Sequence, residues 1–378
     1  MNKLLTVVVP SYNAEKYLRH NLDSLCLEEV LGELEIIVVD DGSTDLTAQI
    51  ADEYAEKFPG TVVPVHKENG GHGSGINTGI RYATGMYFKV IDADDWVDAE
   101  DLKNLICFIR EKCRKHLCEA PRSNNPEFVS EDITKKTDNN PDNDTDIARE
   151  NDIAESLPDI IAGGYYWVYG QSEDAPKKEE FDKPFEGVEY GHIYSFDEIA
   201  EKAYIKMHSM TIRTDILKEK NIRIDEHRYY VDTEYILYPI PYVKTVVFLN
   251  DHLYRYFISR EGQSMSPQQM TKNKVQYDGV LQSLYEFYKN ALTKKEMTDA
   301  KKTYIEHLIA RVYASRIKIL LWDRIAPATR RELMTMEQEL KKNYSGIYHS
   351  NRNKAVAMLR ASGYWLYYPA AMALRMRK

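Results

Sequence analysis

The chain is short of cysteine, of basic charge and of long apolar runs, and each shortage removes a class of protein. Only Cys26, Cys107, Cys113 and Cys118 are cysteines among 378 residues. None forms a CxxC pair, so they read as reduced thiols in a cytoplasm-facing protein. Lysine and arginine total 50 against 59 acidic residues, a formal net charge of −9. That balance excludes a nucleic-acid backbone as the main partner. No window holds the roughly 20 apolar residues that a spanning helix needs. Residues 1–10 are too short for a signal peptide's apolar core. The expectation is a cytoplasmic protein, soluble or peripheral at the inner face of a membrane.

What is present is alternation. Residues 4–9, 35–39, 61–66 and 86–91 are apolar and mostly β-branched, as in strands buried on both faces. Between them, residues 15–27 read as a helix, a second helix capped by Ser43 or Thr44 runs through Ala48, Ile50, Ala51 and Tyr54, and a glycine-rich loop and helix occupy 69–83. This spacing predicts βαβ units and an α/β fold: a Rossmann-like, mainly parallel sheet flanked by helices. A helix over 98–118 follows. Residues 119–157 are then almost devoid of aromatics and rich in Asn, Asp and Pro, the composition of a mobile polar insertion. Order resumes at 158, with a strand over 165–169. Helices over 275–291, 299–322 and 327–343 predict a helical C-terminal region from 270 to 378.

Polar clusters fall at the strand ends, where ligands bind in such sheets. Pro10-Ser11-Tyr12-Asn13 offers a ring and an amide. Asp40-Asp41-Gly42-Ser43 places two carboxylates able to accept from a nucleobase N–H or a ribose hydroxyl. Asn69-Gly70-Gly71 lets the backbone approach a ligand and opens a helix through Asn77-Thr78-Gly79. Asp92-Ala93-Asp94-Asp95 ends an apolar strand in three acids. Uncompensated charge there is costly, so the acids want a cation, or else they cap the next helix.

Together these four clusters resemble the family 2 glycosyltransferases of the GT-A fold. The resemblance covers essentially residues 4–100, with weaker motifs to about 266. It implies a nucleotide-sugar-binding half over 1–118 and an acceptor-binding half over 158–269. Asp40 would read the base of a nucleotide sugar, most plausibly UDP-linked, with Pro10, Tyr12 and Asn13 lining the pocket. Asp41, Gly71, Asn77 and Ala93 would complete the donor site. Asp92 would contact ribose or metal, and Asp94 would coordinate Mn²⁺ or Mg²⁺. Asp95 is then structural, holding Arg81 or capping the helix. His72 departs from the usual loop pattern, and its role stays open.

The second half must supply a base for the acceptor hydroxyl. Asp232 falls where the family has a Glu-Asp pair, with Val231 replacing the first member, and Glu234 is its rival. In an inverting reaction Asp232 would take the acceptor's proton. His208, Arg260, Gln263 and Ser264 are weaker expectations for acceptor or phosphate contacts. The implied activity is transfer of one hexosyl or N-acetylhexosaminyl unit to a glycan or lipid-linked acceptor in surface or exopolysaccharide synthesis. The rivals are a sugar-1-phosphate nucleotidyltransferase and a non-catalytic scaffold. Residues 355–378 mix aromatics with basic residues, which suits either a terminal helix packed on its own domain or one lying at a membrane interface.

Overall fold

The computed structural model describes residues 3–119, 157–170, 176–182, 185–258, 264 and 266–376. β1 (Leu5–Ser11), α1 (Leu18–Leu25), β2 (Leu34–Asp40), α2 (Thr47–Lys57), β3 (Val62–His66), α3 (His72–Tyr82) and β4 (Tyr87–Val90) alternate as the sequence predicts. β1 lies between β2 and β4 in parallel register, Val8 opposite both Ile37 and Val90. β2 and β4 are buried residue for residue, and β1 at all but Pro10. Strands largely apolar on both faces suit that position.

β5 (Trp96–Val97) and α4 (Ala99–Glu119) close the first half. Next come β6 (Ile160–Ala162), β7 (Tyr165–Gly170), β8 (Pro176–Asp182), β9 (Ile193–Ser195) and α5 (Phe196–Ile199). β10 (Met210–Arg213), α6 (Thr214–Glu219), α7 (Asp232–Leu237), β11 (Thr245–Phe248) and β12 (Tyr254–Ile258) follow. The main sheet runs β3-β2-β1-β4-β10-β6-β11-β9, and a smaller one runs β5-β12-β7-β8. β10 is antiparallel to both β4 and β6, so the second half enters the same sheet with its direction reversed.

The chain continues with α8 (Pro267–Lys272), α9 (Lys274–Ala291), α10 (Asp299–Trp322), α11 (Pro327–Asn343), α12 (Ser345–His349), α13 (Lys354–Ala361) and α14 (Tyr367–Met376). α10 is buried on nearly every side, with Tyr304, Ile305, Ile309, Tyr313 and Leu320 in one apolar cluster with β4, β6 and β10. Helix and sheet therefore share a core.

Three local expectations are corrected. α1 starts at Leu18, because residues 14–17 form a turn closed by Tyr17 N–H donating to Ala14 O at 2.9 Å. Neither Ser43 nor Thr44 caps α2. Asp45 accepts from Thr47 N–H at 3.0 Å, while Ser43 Oγ accepts from Asn13 N–H at 3.0 Å. The terminal segment is two helices, broken where Gly363 (φ +57°) and Tyr364 (φ +64°) turn left-handed. The polar insertion falls outside the described residues except at its ends.

Candidate active site

The floor of the site is the turn after β4. Asp95 N–H donates to Asp92 O at 3.0 Å, and Asn21 of α1 donates its amide to the carbonyls of Asp92 and Asp95. The Asp95 carboxylate is buried and accepts from Tyr254 Oη at 2.6 Å and Phe257 N–H at 2.7 Å. It neither holds Arg81, which lies over the Tyr82 ring, nor caps α4, whose first turn donates to Asp98. Burial, and then the charges of Asp94 and Asp92, push the Asp95 carboxyl well above its ordinary range.

One wall is the glycine loop. Asp41 accepts from Gly70 N–H at 2.9 Å, Gly71 N–H at 2.7 Å and Lys67 Nζ at 2.6 Å, fixing the loop's curvature. Gly71 (φ +82°) lies against the backbone of residue 227. Asn77 receives Ile224 N–H at 2.9 Å and donates to Ile224 O at 2.8 Å, and His227 N–H donates to Gly70 O at 2.5 Å. The strap before α7 is thus tied to α3, and Asp232 lands beside His72.

That neighbour is the main finding at the site. His72 Nε2 lies 2.8 Å from Asp92 Oδ1, and its Nδ1 lies 3.6 Å from Asp232 Oδ1. Burial alone would lower the imidazole, but the charges of Asp92, Asp232 and Asp94 outweigh it and hold it up at about 9. At neutral pH an imidazolium therefore bridges the strand-end acid and the helix acid. The Asp232 side chain is 51% exposed yet recessed among protein atoms, and desolvation still raises its carboxyl, partly offset by His72. Glu234 is fully buried and accepts from Asp225 N–H at 2.7 Å, so it cannot reach a substrate. The sequence signal for His72 was its place as first residue of a helix facing an acidic turn.

On the other side, Asp40 accepts from Ser43 N–H at 3.0 Å and pairs with His66 at 3.1 Å. Asn13 adopts φ +49° and accepts from Thr44 N–H at 2.9 Å, while Tyr12 stands 56% exposed beside it. Pro10 backs onto Gly75, where an added Cβ would lie 2.8 Å from its own Cβ. Ala93 is buried within the acidic turn. His208 lies among the rings of Tyr165, Tyr254 and Tyr256, with its carbonyl held by buried Lys89 at 2.9 Å. Burial lowers that ammonium to about 7. Ser264 O accepts from Tyr230 Oη at 2.9 Å. Arg260 and Gln263 lie outside the described residues.

Asp92, Asp95 and His208 offer ligand atoms within 4.8 Å of one another. Asp94 belongs to the same cluster, since its charge raises both Asp95 and His72. Carboxylates crowded enough to repel one another, beside one imidazole, suit a hard divalent cation such as Mg²⁺ or Mn²⁺. Where the sequence pairs Asp92 with Asp94, the structure brings Asp95 and His208 alongside Asp92.

Known proteins resemble this chain in sequence and fold. The family model for glycosyl transferase family 2 matches residues 6–172. The uncharacterized glycosyltransferase EpsJ of Bacillus subtilis is 38% identical over 105 residues, 28% of this chain and 30% of that protein. The poly(ribitol-phosphate) beta-N-acetylglucosaminyltransferase TarS of Staphylococcus aureus is 35% identical over 133 residues, 35% of this chain and 23% of that one. These matches span less than a third of either relative's length. The crystal structure of S. aureus TarS 1–349 in complex with UDP-GlcNAc superposes with a TM-score of 0.59 over 99% of this chain and 92% of that one, at 17% identity. Residues 6–172 thus carry the pattern of glycosyl transferase family 2, and the chain has the GT-A fold of that structure.

Proposed function

We propose that the protein transfers one hexosyl or N-acetylhexosaminyl unit, with inversion, from a UDP-sugar to a hydroxyl of a glycan or lipid-linked acceptor, on the cytoplasmic side, in surface-polysaccharide synthesis. The observation that carries this reading is the half-exposed Asp232 held by His72 at 3.6 Å, opposite the acidic turn. Residues 1–118 supply the donor side and residues 158–269 the acceptor side. Asp40 accepts from the base and ribose is met at Asp92, while Tyr12, Asn13 and Pro10 line the base pocket. Asp41 and Asn77 act indirectly by fixing the glycine loop and the strap.

Asp92 and Asp94, with Asp95 and His208 behind them, would hold Mn²⁺ or Mg²⁺, which neutralises charge on a departing diphosphate. Asp232 removes the proton from the acceptor hydroxyl as it attacks the anomeric carbon, and no covalent glycosyl intermediate is needed. Its raised carboxyl makes it a better base than an exposed aspartate. His72 orients that carboxylate and offsets its repulsion from Asp92. The buried Lys89 positions the segment that carries His208.

A thermal-shift panel of nucleotide sugars with and without Mn²⁺ tests the donor, with UDP-sugars expected to give a metal-dependent rise. Asp232→Asn should lower turnover by about 10²–10⁴-fold, the usual contribution of a positioned base. Its donor affinity should stay nearly unchanged. Normal turnover in that variant would remove Asp232 from the mechanism, and the absence of donor hydrolysis in the parent would favour a scaffold.

A further inference from the structure

α13 and α14 each bury one face on the molecule, through Val356 and Leu359 and through Tyr367 and Ala371. An outward face of a terminal helix is ordinarily polar. Here it is apolar. Met358 is 60% exposed, Trp365 69%, Met372 56% and Met376 83%. Leu366, just before α14, and Pro369, Ala373 and Met376 within it recur at three- and four-residue steps, and all are exposed. Between residues 355 and 376 the only exposed charged residue is Arg375. The Trp365 ring is held in place, with the Arg330 guanidinium 4.4 Å from its centre and donating to the carbonyls of Gly363 and Tyr364.

The segment that carries this face has charge of one sign. Residues 341–378 contain four lysines, four arginines and no acidic residue, in a chain whose formal net charge is −9. We propose that the outward face of α13 and α14 docks on an anionic lipid bilayer, its methionines and Trp365 entering the interface while the flanking basic residues meet the headgroups. A second copy of the chain fits less well, because a two-fold contact would set this basic surface against itself. Helices of 8 and 10 residues lie on a bilayer and do not cross it. The proposal stands apart from the transferase reading, since no residue of this face belongs to the acidic site.

The test uses the full chain with sedimenting vesicles of phosphatidylcholine, alone or mixed with phosphatidylglycerol. Binding should be about tenfold stronger with phosphatidylglycerol at low salt and fall as salt screens the headgroups. A combined Trp365→Ser, Met372→Ser, Met376→Ser variant should lose about as much while its melting temperature is kept, since these side chains touch mainly solvent. Three outcomes would overturn the proposal: no pelleting with the mixed vesicles, equal binding to both vesicle types, or equal pelleting of parent and variant. Self-association or capture of an acidic protein that the triple variant abolishes, without vesicle binding, would overturn it too and assign the face to that partner. Donor hydrolysis measured on the same samples reports separately on the transferase reading, so either can fail alone.

Discussion

At the scale of residues, the site is a set of charges whose environments pull them apart. Glu234 shows this away from the chemistry. Desolvation, with a smaller push from Asp225, raises its carboxyl to about 8. A carboxyl raised on folding contributes stability that is fully present below its unfolded value of about 4.5 and is lost as pH rises to about 8. Urea unfolding should therefore show Glu234→Gln gaining on the parent, by at most a few kcal/mol, between about pH 5 and pH 8. A constant difference across that range would mean that Glu234 ionises normally. His72 works in the opposite sense on Asp232. Replacing it by leucine removes the charge that lowers the Asp232 carboxyl, so the acid limb of the pH–rate profile should move to higher pH. An unmoved limb would separate His72 from the proposed base.

At the scale of elements, the fit between α3 and the strap before α7 decides whether Asp232 reaches the site. Gly73 lies so close to the strap that an added Cβ would sit 2.1 Å from Asp225 O, a backbone atom that cannot swing aside. Gly73→Ala should destabilise the fold by about 1–3 kcal/mol, as overpacking does. It should also lower turnover more than donor binding, because the strap leads into the proposed base, Asp232, and the proposed donor acids lie elsewhere. A variant with full turnover would show that the strap yields. The strands and long helices were legible because their apolar periodicities are strong, and α10 and α11 match their expected limits. The first turn of α1, the cap of α2 and the break between α13 and α14 were not. In each, a side chain from another segment or a left-handed residue settled the local geometry.

At the scale of the whole molecule, one apolar cluster runs from the main sheet through α10 to α14, so the C-terminal helices brace the second half of that sheet, β10, β6 and β11. The buried Glu337, paired with Arg360 and Tyr364, ties α11 to α13 within it. The sequence by itself determined the parallel βαβ half, its strand-end acids and the glycine loop, since each follows from local pattern and from the cost of burying unpaired charge. Only the tertiary structure decided that His72 spans Asp92 and Asp232, that Asp95 and His208 join the acidic turn, and that Glu234 is shut away. Residues 72, 92, 208 and 232 meet only because β10 enters the sheet antiparallel beside β4 and the strap is bonded to α3. No local propensity encodes contacts between residues more than a hundred positions apart.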